Sequence, residues 1–161
     1  MVKHYHCNVV VELGTSFGIT SVYMASATKG MVYTLEGDPF IAAIAKENFD
    51  GAKVTNIELT IGSFKDTFPE LLTRLPSPDL VFIDGNHRKA ATLNYFSELI
   101  LRSDYETILV FDDIHWSKEM EEVWLEIKNH PDVTLTIDLF FIGIVLFRKE
   151  FKVKQHFVIR F

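Results

Sequence analysis

Short apolar runs alternate with helix-forming stretches along almost the whole chain, and this alternation limits the fold more than any other feature. Asn8–Leu13 is an apolar run that stops at a glycine turn, as a parallel strand buried on both faces would. Phe17–Thr28, rich in Ala, Met and aliphatic residues, reads as a helix closed by Lys29-Gly30. Met31–Glu36 is a second strand. Asp38-Pro39 then opens a helix, with Asp as N-cap and Pro at the first helical position. Ile41, Ile44, Ala45 and Phe49 give that helix its apolar stripe.

Ile57–Ile61 is a third strand. Thr67-Phe-Pro-Glu70 has the spacing of a capping box and predicts a short helix to about Leu75. Leu80–Ile83 follows as a fourth strand, then a helix with Ala90, Leu93, Phe96, Leu99 and Ile100 inward. Thr107–Phe111 is the fifth strand, and Ser117 caps a helix whose inner face is Met120, Val123, Trp124 and Ile127. Val133–Asp138 and Ile142–Phe147 lie too close together for a helical crossover, so they should pair antiparallel. The expected fold is α/β: a Rossmann-like open, mostly parallel seven-stranded sheet with a C-terminal antiparallel hairpin and helices on both faces. Residues 1–161 read as one domain, with 150–161 as a tail that adds an edge segment or a partner contact ending on Phe157, Val158, Ile159 and Phe161. Sheets of this kind bind ligands beyond the carboxyl ends of their strands.

Composition narrows the partners. Of 161 residues, 48% are hydrophobic, which with 24% charged is a globular balance. Mean hydropathy is +0.14. Either a rich core or a covered apolar surface follows, and the second implies a homo-oligomer. The net charge of −6, with basic residues scattered apart from a mild cluster at Arg148, Lys149, Lys152 and Lys154, argues against nucleic acid as a main partner. Cys7 is the single cysteine, so no intrachain disulfide forms and a reducing, cytoplasmic setting is expected. No signal peptide is visible, and no apolar run approaches the roughly 18–20 residues of a membrane span. His4, His6 and Cys7 offer metal donors, against the plainer expectation of a frayed terminus.

The chemistry gathers at the strand ends. Glu12-x-Gly14-x-x-x-Gly18 follows the first strand. Gly14 permits a tight turn with close backbone approach to a ligand, and Gly18 lets the helix start near the strand. Glu12 would repel a dinucleotide phosphate and attract an ammonium and a sulfonium, and the GxGxxG spacing of nicotinamide sites is absent. S-adenosylmethionine is therefore favoured over NAD. Glu36-Gly37-Asp38 ends the second strand, where a carboxylate can accept both ribose hydroxyls of an adenosine ligand. After the third strand, Gly62 admits an adenine ring. Ser63 could bond its edge, and Phe64 could pack on its face.

Asp84 and His87 follow the fourth strand, and Asp112, Asp113 and His115 the fifth. Three carboxylates on one sheet edge would cost several kcal/mol uncompensated, which a hard divalent cation such as Mg²⁺ relieves. Asp84 is thus a candidate for metal, cofactor and catalysis alike. His87 and His115 are candidate bases, since imidazole titrates near neutral pH.

In order, VVELGTSFGITS, VYTLEGDP, DLVFIDGNH and ILVFDDIHW resemble the motifs of class I S-adenosylmethionine-dependent methyltransferases, in particular the metal-dependent small-molecule O-methyltransferases of catechol and sugar type. The resemblance spans roughly residues 8–148. It implies methyl transfer to a hydroxyl oxygen of a small molecule. Glu12, Gly14 and Ser16 would then surround the methionine end and Glu36 the ribose, with Gly18, Gly37, Ser63, Phe64 and Asp84 as further candidate cofactor contacts. Asp84, Asp112 and Asp113 would hold the metal. Catechol-type enzymes place a lysine base three residues beyond the first metal aspartate, and here that position is His87. Family members usually carry helices before the first strand, where this sequence has only Met1–Cys7. A non-catalytic domain that keeps the fold, and an NAD-binding oxidoreductase, stand as the alternatives.

Overall fold

A computed structural model describes residues 1–160, so Phe161 in the expected tail lies outside the described residues. Eight strands form one sheet in the order β3-β2-β1-β4-β5-β7-β6-β8. The chain divides into two compact units, Met1–Val81 and Phe82–Phe161.

The first unit holds β1 (Val9–Leu13), α1 (Ile19–Ala27), β2 (Met31–Glu36), α2 (Pro39–Ala52), β3 (Ile57–Ile61), α3 (Phe64–Arg74) and the start of β4 (Leu80–Ile83). β1 pairs parallel with β2, and β2 with β3. Val10, Val11, Leu13, Val32 and Leu35 are fully buried, as expected of strands covered on both faces. Each such aliphatic side chain contributes roughly 1.5–3 kcal/mol on burial. Asp79 fixes the start of β1, its carboxylate accepting from the backbone N–H of Asn8 and Val9 at 2.6 and 2.8 Å. The expected frayed terminus is instead tied down. Tyr5 and Cys7 N–H bond back to the carbonyls of Met1 and Val2, and Val2 and Cys7 are buried. Burial pushes the Cys7 thiol up, and nearby Asp79 adds to it.

Asp38 caps α2 as expected, accepting from Phe40 and Ile41 N–H, with Pro39 at the first helical position. The inner face of α2 is turned slightly from the expected stripe: Ala42, Ala45 and Phe49 are buried while Ile44 is exposed. α3 departs more. It starts at Phe64 rather than after Thr67, and Pro69 lies within it. The Thr67 hydroxyl bonds back to the Ser63 carbonyl inside the helix, so the Thr-x-x-Glu spacing caps nothing.

The second unit holds the end of β4, α4 (Lys89–Ile100), β5 (Ile108–Phe111), α5 (Lys118–Asn129), β6 (Leu135–Asp138), β7 (Gly143–Leu146) and β8 (Gln155–Val158). β7 runs antiparallel to β5 and to β6, which is the expected hairpin. β8 is an eighth strand beyond the seven expected, pairing parallel with β6. Ser117 caps α5, and Met120, Val123, Trp124 and Ile127 are its buried face. In α4 Phe96 and Leu99 are buried as expected, joined by Thr92 and Tyr95, whereas Ala90 is exposed.

Candidate functional site

In the first unit three strand ends carry the site. The N–H groups of Gly14 and Thr15 both donate to the Leu35 carbonyl, at 3.0 and 3.1 Å, which folds the glycine turn against the end of β2. Gly14 has φ 101°, and Gly18 closes the turn at φ 76° with its N–H on the Thr15 carbonyl. At Gly18 a side chain would meet Phe49 at 2.4 Å, so only glycine brings α1 this close to α2.

Glu12 sits beneath this turn, fully buried. Its Oε2 accepts from the hydroxyls of Ser21 and, at 2.6 Å, Thr34. Thr34 in turn lies 2.6 Å from the Thr15 hydroxyl. A buried carboxylate is tolerated when hydroxyls bond it, and here the bonds join β1, α1, β2 and the turn. The charge that the sequence suggested for ligand contact therefore points inward. Its effect on a ligand goes through the shape of the turn.

Glu36 is the carboxylate at the surface. Its Oε2 accepts from Ser16 N–H at 2.9 Å and its Oε1 from Asp38 N–H at 3.0 Å. Each oxygen keeps a second lone pair for a ligand hydroxyl. Ser16 itself has φ 49°, a conformation held by this bond. A side chain added at Gly37 would meet nothing within 4 Å, so open space lies beside Glu36. Gly62 N–H bonds the Glu36 carbonyl, which places the β3 end next to the β2 end. Ser63 starts α3 without a side-chain capping bond, and Phe64 is half-buried.

In the second unit Asp112 N–H bonds the Ile83 carbonyl, so the ends of β4 and β5 lie side by side. Burial, the charges of Asp84 and Asp113, and a hydrogen bond to Asp84 raise the Asp112 carboxyl to about 6. His87 Nε2 stands 3.5 Å from Asp84 Oδ1. That bond, followed by the charges of Asp84, Asp113 and Asp112, raises the His87 imidazole above its ordinary 6.5 despite burial. Asn86, His87 and Asp113 all have positive φ, at 71°, 23° and 55°, so strained backbone clusters here. The donor chemistry is that of a hard-cation site. The placement is not: among the described residues no three His, Cys, Asp or Glu side chains converge to hold an ion, and His4, His6 and Cys7 form no such group either.

His115 has a different setting. Its Nε2 is 2.9 Å from Asp138 Oδ2 and its Nδ1 3.4 Å from Glu121, and the ring stacks on Phe140. Burial pushes the Asp138 carboxyl up, but bonds from His115, Phe140 N–H and Arg160 outweigh it and hold it at about 2. Arg160 reaches Asp138 Oδ1 at 3.0 Å from just beyond β8. Asp138 and Arg160 escaped the sequence reading. The signal was a lone Asp at a strand end, separated by 23 residues from its histidine.

A glycine turn after β1 and a half-buried acid at the end of β2, on an open mostly parallel sheet, define an adenosine-ligand class of α/β domain. The family model described as "Methyltransferase domain" matches residues 11–114, well over half of the chain. The chain belongs to that family. It is 34% identical over 109 residues to a catechol O-methyltransferase of Niastella koreensis, covering 65% of this chain and 48% of that one. It is 35% identical over 60 residues to a protein-L-isoaspartate O-methyltransferase of Pyrococcus horikoshii, covering 37% of this chain and 27% of that one. The chain thus spans about half, or less, of the length of these curated relatives. In fold it is similar to the O-methyltransferase of Bacillus cereus in complex with SAH, at TM-score 0.76 and 22% identity over 90% of this chain and 76% of that one. The Streptomyces achromogenes O-methyltransferase involved in tomaymycin synthesis, in complex with SAM, gives TM-score 0.78 and 21% identity over 91% and 76%.

Proposed function

We infer that this chain binds S-adenosylmethionine at the glycine turn and transfers its methyl group to a hydroxyl oxygen of a small molecule. The observation that carries this reading is the surface carboxylate of Glu36, held by Ser16 and Asp38 N–H beside the open space at Gly37. The identity to a catechol O-methyltransferase supports the choice of a hydroxyl acceptor. The residues fit the cofactor: Glu36 for the ribose hydroxyls, the Gly14–Gly18 turn with Ser16 for the methionine end, Ser63 and Phe64 for adenine.

When bound, S-adenosylmethionine would supply an activated methyl group on its sulfonium for transfer to the acceptor oxygen, leaving the thioether behind. The buried Glu12–Ser21–Thr34 bonds hold the turn in shape from below. His87 is the group that takes the acceptor's proton, oriented by Asp84. His115 is already committed to Asp138, which makes it the lesser candidate and a holder of the Asp138–Phe141 loop. Asp84, Asp112 and Asp113 have the oxygen chemistry of a divalent-cation site such as one for Mg²⁺, but they do not converge to hold one, so no step is assigned to a metal.

The partner reading is a small-molecule acceptor in the cytoplasm, with self-association covering the exposed Phe17, Ile19, Tyr23 and Phe40 of the first unit. Among the described residues no helix is long and apolar enough to cross a membrane. A thermal-shift panel with S-adenosylmethionine, S-adenosylhomocysteine and NAD, with and without Mg²⁺, tests the reading together with label transfer to a catechol. Stabilisation by both sulfur ligands and not by NAD is expected. A shift without transfer to any hydroxyl acceptor would favour the non-catalytic alternative, and a shift with NAD alone the oxidoreductase.

A further inference from the structure

The second unit has a cavity of about 650 Å³ at the end opposite its aspartates. Residues 103–105 lead into the amino end of β5, whereas Asp112 and Asp113 leave its carboxyl end. Residues 131–134 lead into β6, and 147–152 leave the antiparallel β7, so the three segments meet at one end. Four residues of β5 separate this cavity from the carboxylates, roughly 13 Å of extended chain. The volume is within the usual range of small-molecule sites.

Its walls combine rings and cations. Tyr105, Pro131, Phe147 and Phe151 supply the apolar surface. Lys149 holds its Nζ 4.7 Å from the centre of the Tyr105 ring. Lys152 donates from its Nζ to the Lys149 carbonyl at 3.3 Å, and both lysines line the cavity. Among the described residues neither lysine makes an ion pair. Two acids also line the cavity. Asp104 Oδ1 accepts from Glu106 and Thr107 N–H at 2.7 and 3.1 Å, and Asp132 stands 3.8 Å from His130. Lys149 and Lys152 are the cations on the same wall as the rings.

We propose that this cavity binds a small aromatic anion, its flat ring against Tyr105 and Phe151 and its carboxylate or phosphate on Lys149 and Lys152. Apolar walls with a few convergent charges give such sites both affinity and orientation. The proposal stands apart from the methyl-transfer reading, because no residue of that site lines the cavity.

The test is a titration of the full chain followed by amide resonances, with phenyl phosphate and benzoate as probes and phenol and inorganic phosphate as their halves. Saturable shifts of residues 103–105, 131–134 and 147–152 with the two aromatic anions are expected, with each half roughly tenfold weaker. The preference between phenyl phosphate and benzoate names the head group. A Lys149→Ala, Lys152→Ala double variant should weaken both probes about tenfold or more. Both lysines are exposed, so this variant keeps its core. Tyr105→Leu should weaken the probes independently. Shifts centred on residues 14–18 and 36–38, undiminished binding by the double variant, or no saturation by either aromatic anion would each overturn the proposal.

Discussion

Glu12 and Gly18 act on the glycine turn by different means. Glu12→Ala strands the buried Ser21 hydroxyl and takes one of two partners from Thr34, and a loss of roughly 2–4 kcal/mol in chemical denaturation is expected. Gly18→Ala combines a left-handed φ with a side chain driven into Phe49, for a comparable loss of roughly 2–4 kcal/mol. Neither mechanism was legible in the motif, which announces a ligand turn but not what supports it. Glu36 was legible, because the acid after a second strand has a position that its neighbours in sequence define. Asp112 carries a pH signature. Its carboxyl is raised to about 6 in the folded chain from an ordinary 3.8, so the folded state binds more protons between those values. Its ionisation therefore costs stability as pH rises through that window. Asp112→Asn should raise Tm at pH 7 in a chelated buffer and leave Tm at pH 4 nearly unchanged. A lower Tm at pH 7 would contradict the charge crowding inferred around this residue.

Among the elements, β2, β3 and β4 have the bounds that their apolar runs predict, since a buried parallel strand leaves little choice of register. α3 starts elsewhere than its pattern predicts, whereas β8 is the edge segment expected of the tail, an eighth strand beyond the seven expected. α3 has a good local capping pattern in the wrong place, and its real start is set by the turn after β3. β8 has almost no local pattern, with Phe157 and Val158 both exposed, and it exists because β6 offers an edge. A side-chain contact helps to hold β8 there: Arg160 bonds the buried Asp138. Arg160→Gln should cost about 1–3 kcal/mol, the lower end reflecting a half-exposed guanidinium. Asp138, held at about 2, gives its stabilisation above the ordinary carboxylate range and loses it as pH falls towards 2. The gap between parent and Asp138→Asn in acid unfolding should accordingly close below pH 4. A constant gap would mean that the Asp138 carboxylate adds nothing through its charge.

At the scale of the whole chain, the exposed apolar side chains of the first unit set a direct expectation. Light scattering should find a dimer or larger species, and a clean monomer would end the self-association reading. The pH profile of turnover should rise on a limb above the ordinary imidazole value, because the bond to Asp84 raises the His87 imidazole. A limb at the unperturbed histidine value would point to another base. The open space at Gly37 bears on these questions. It is a place where bulk can be added without disturbing the interior, since an added side chain there meets nothing within 4 Å. Gly37→Val should fold like its parent, and weaker binding of S-adenosylmethionine by that variant would put the proposed ligand beside Glu36.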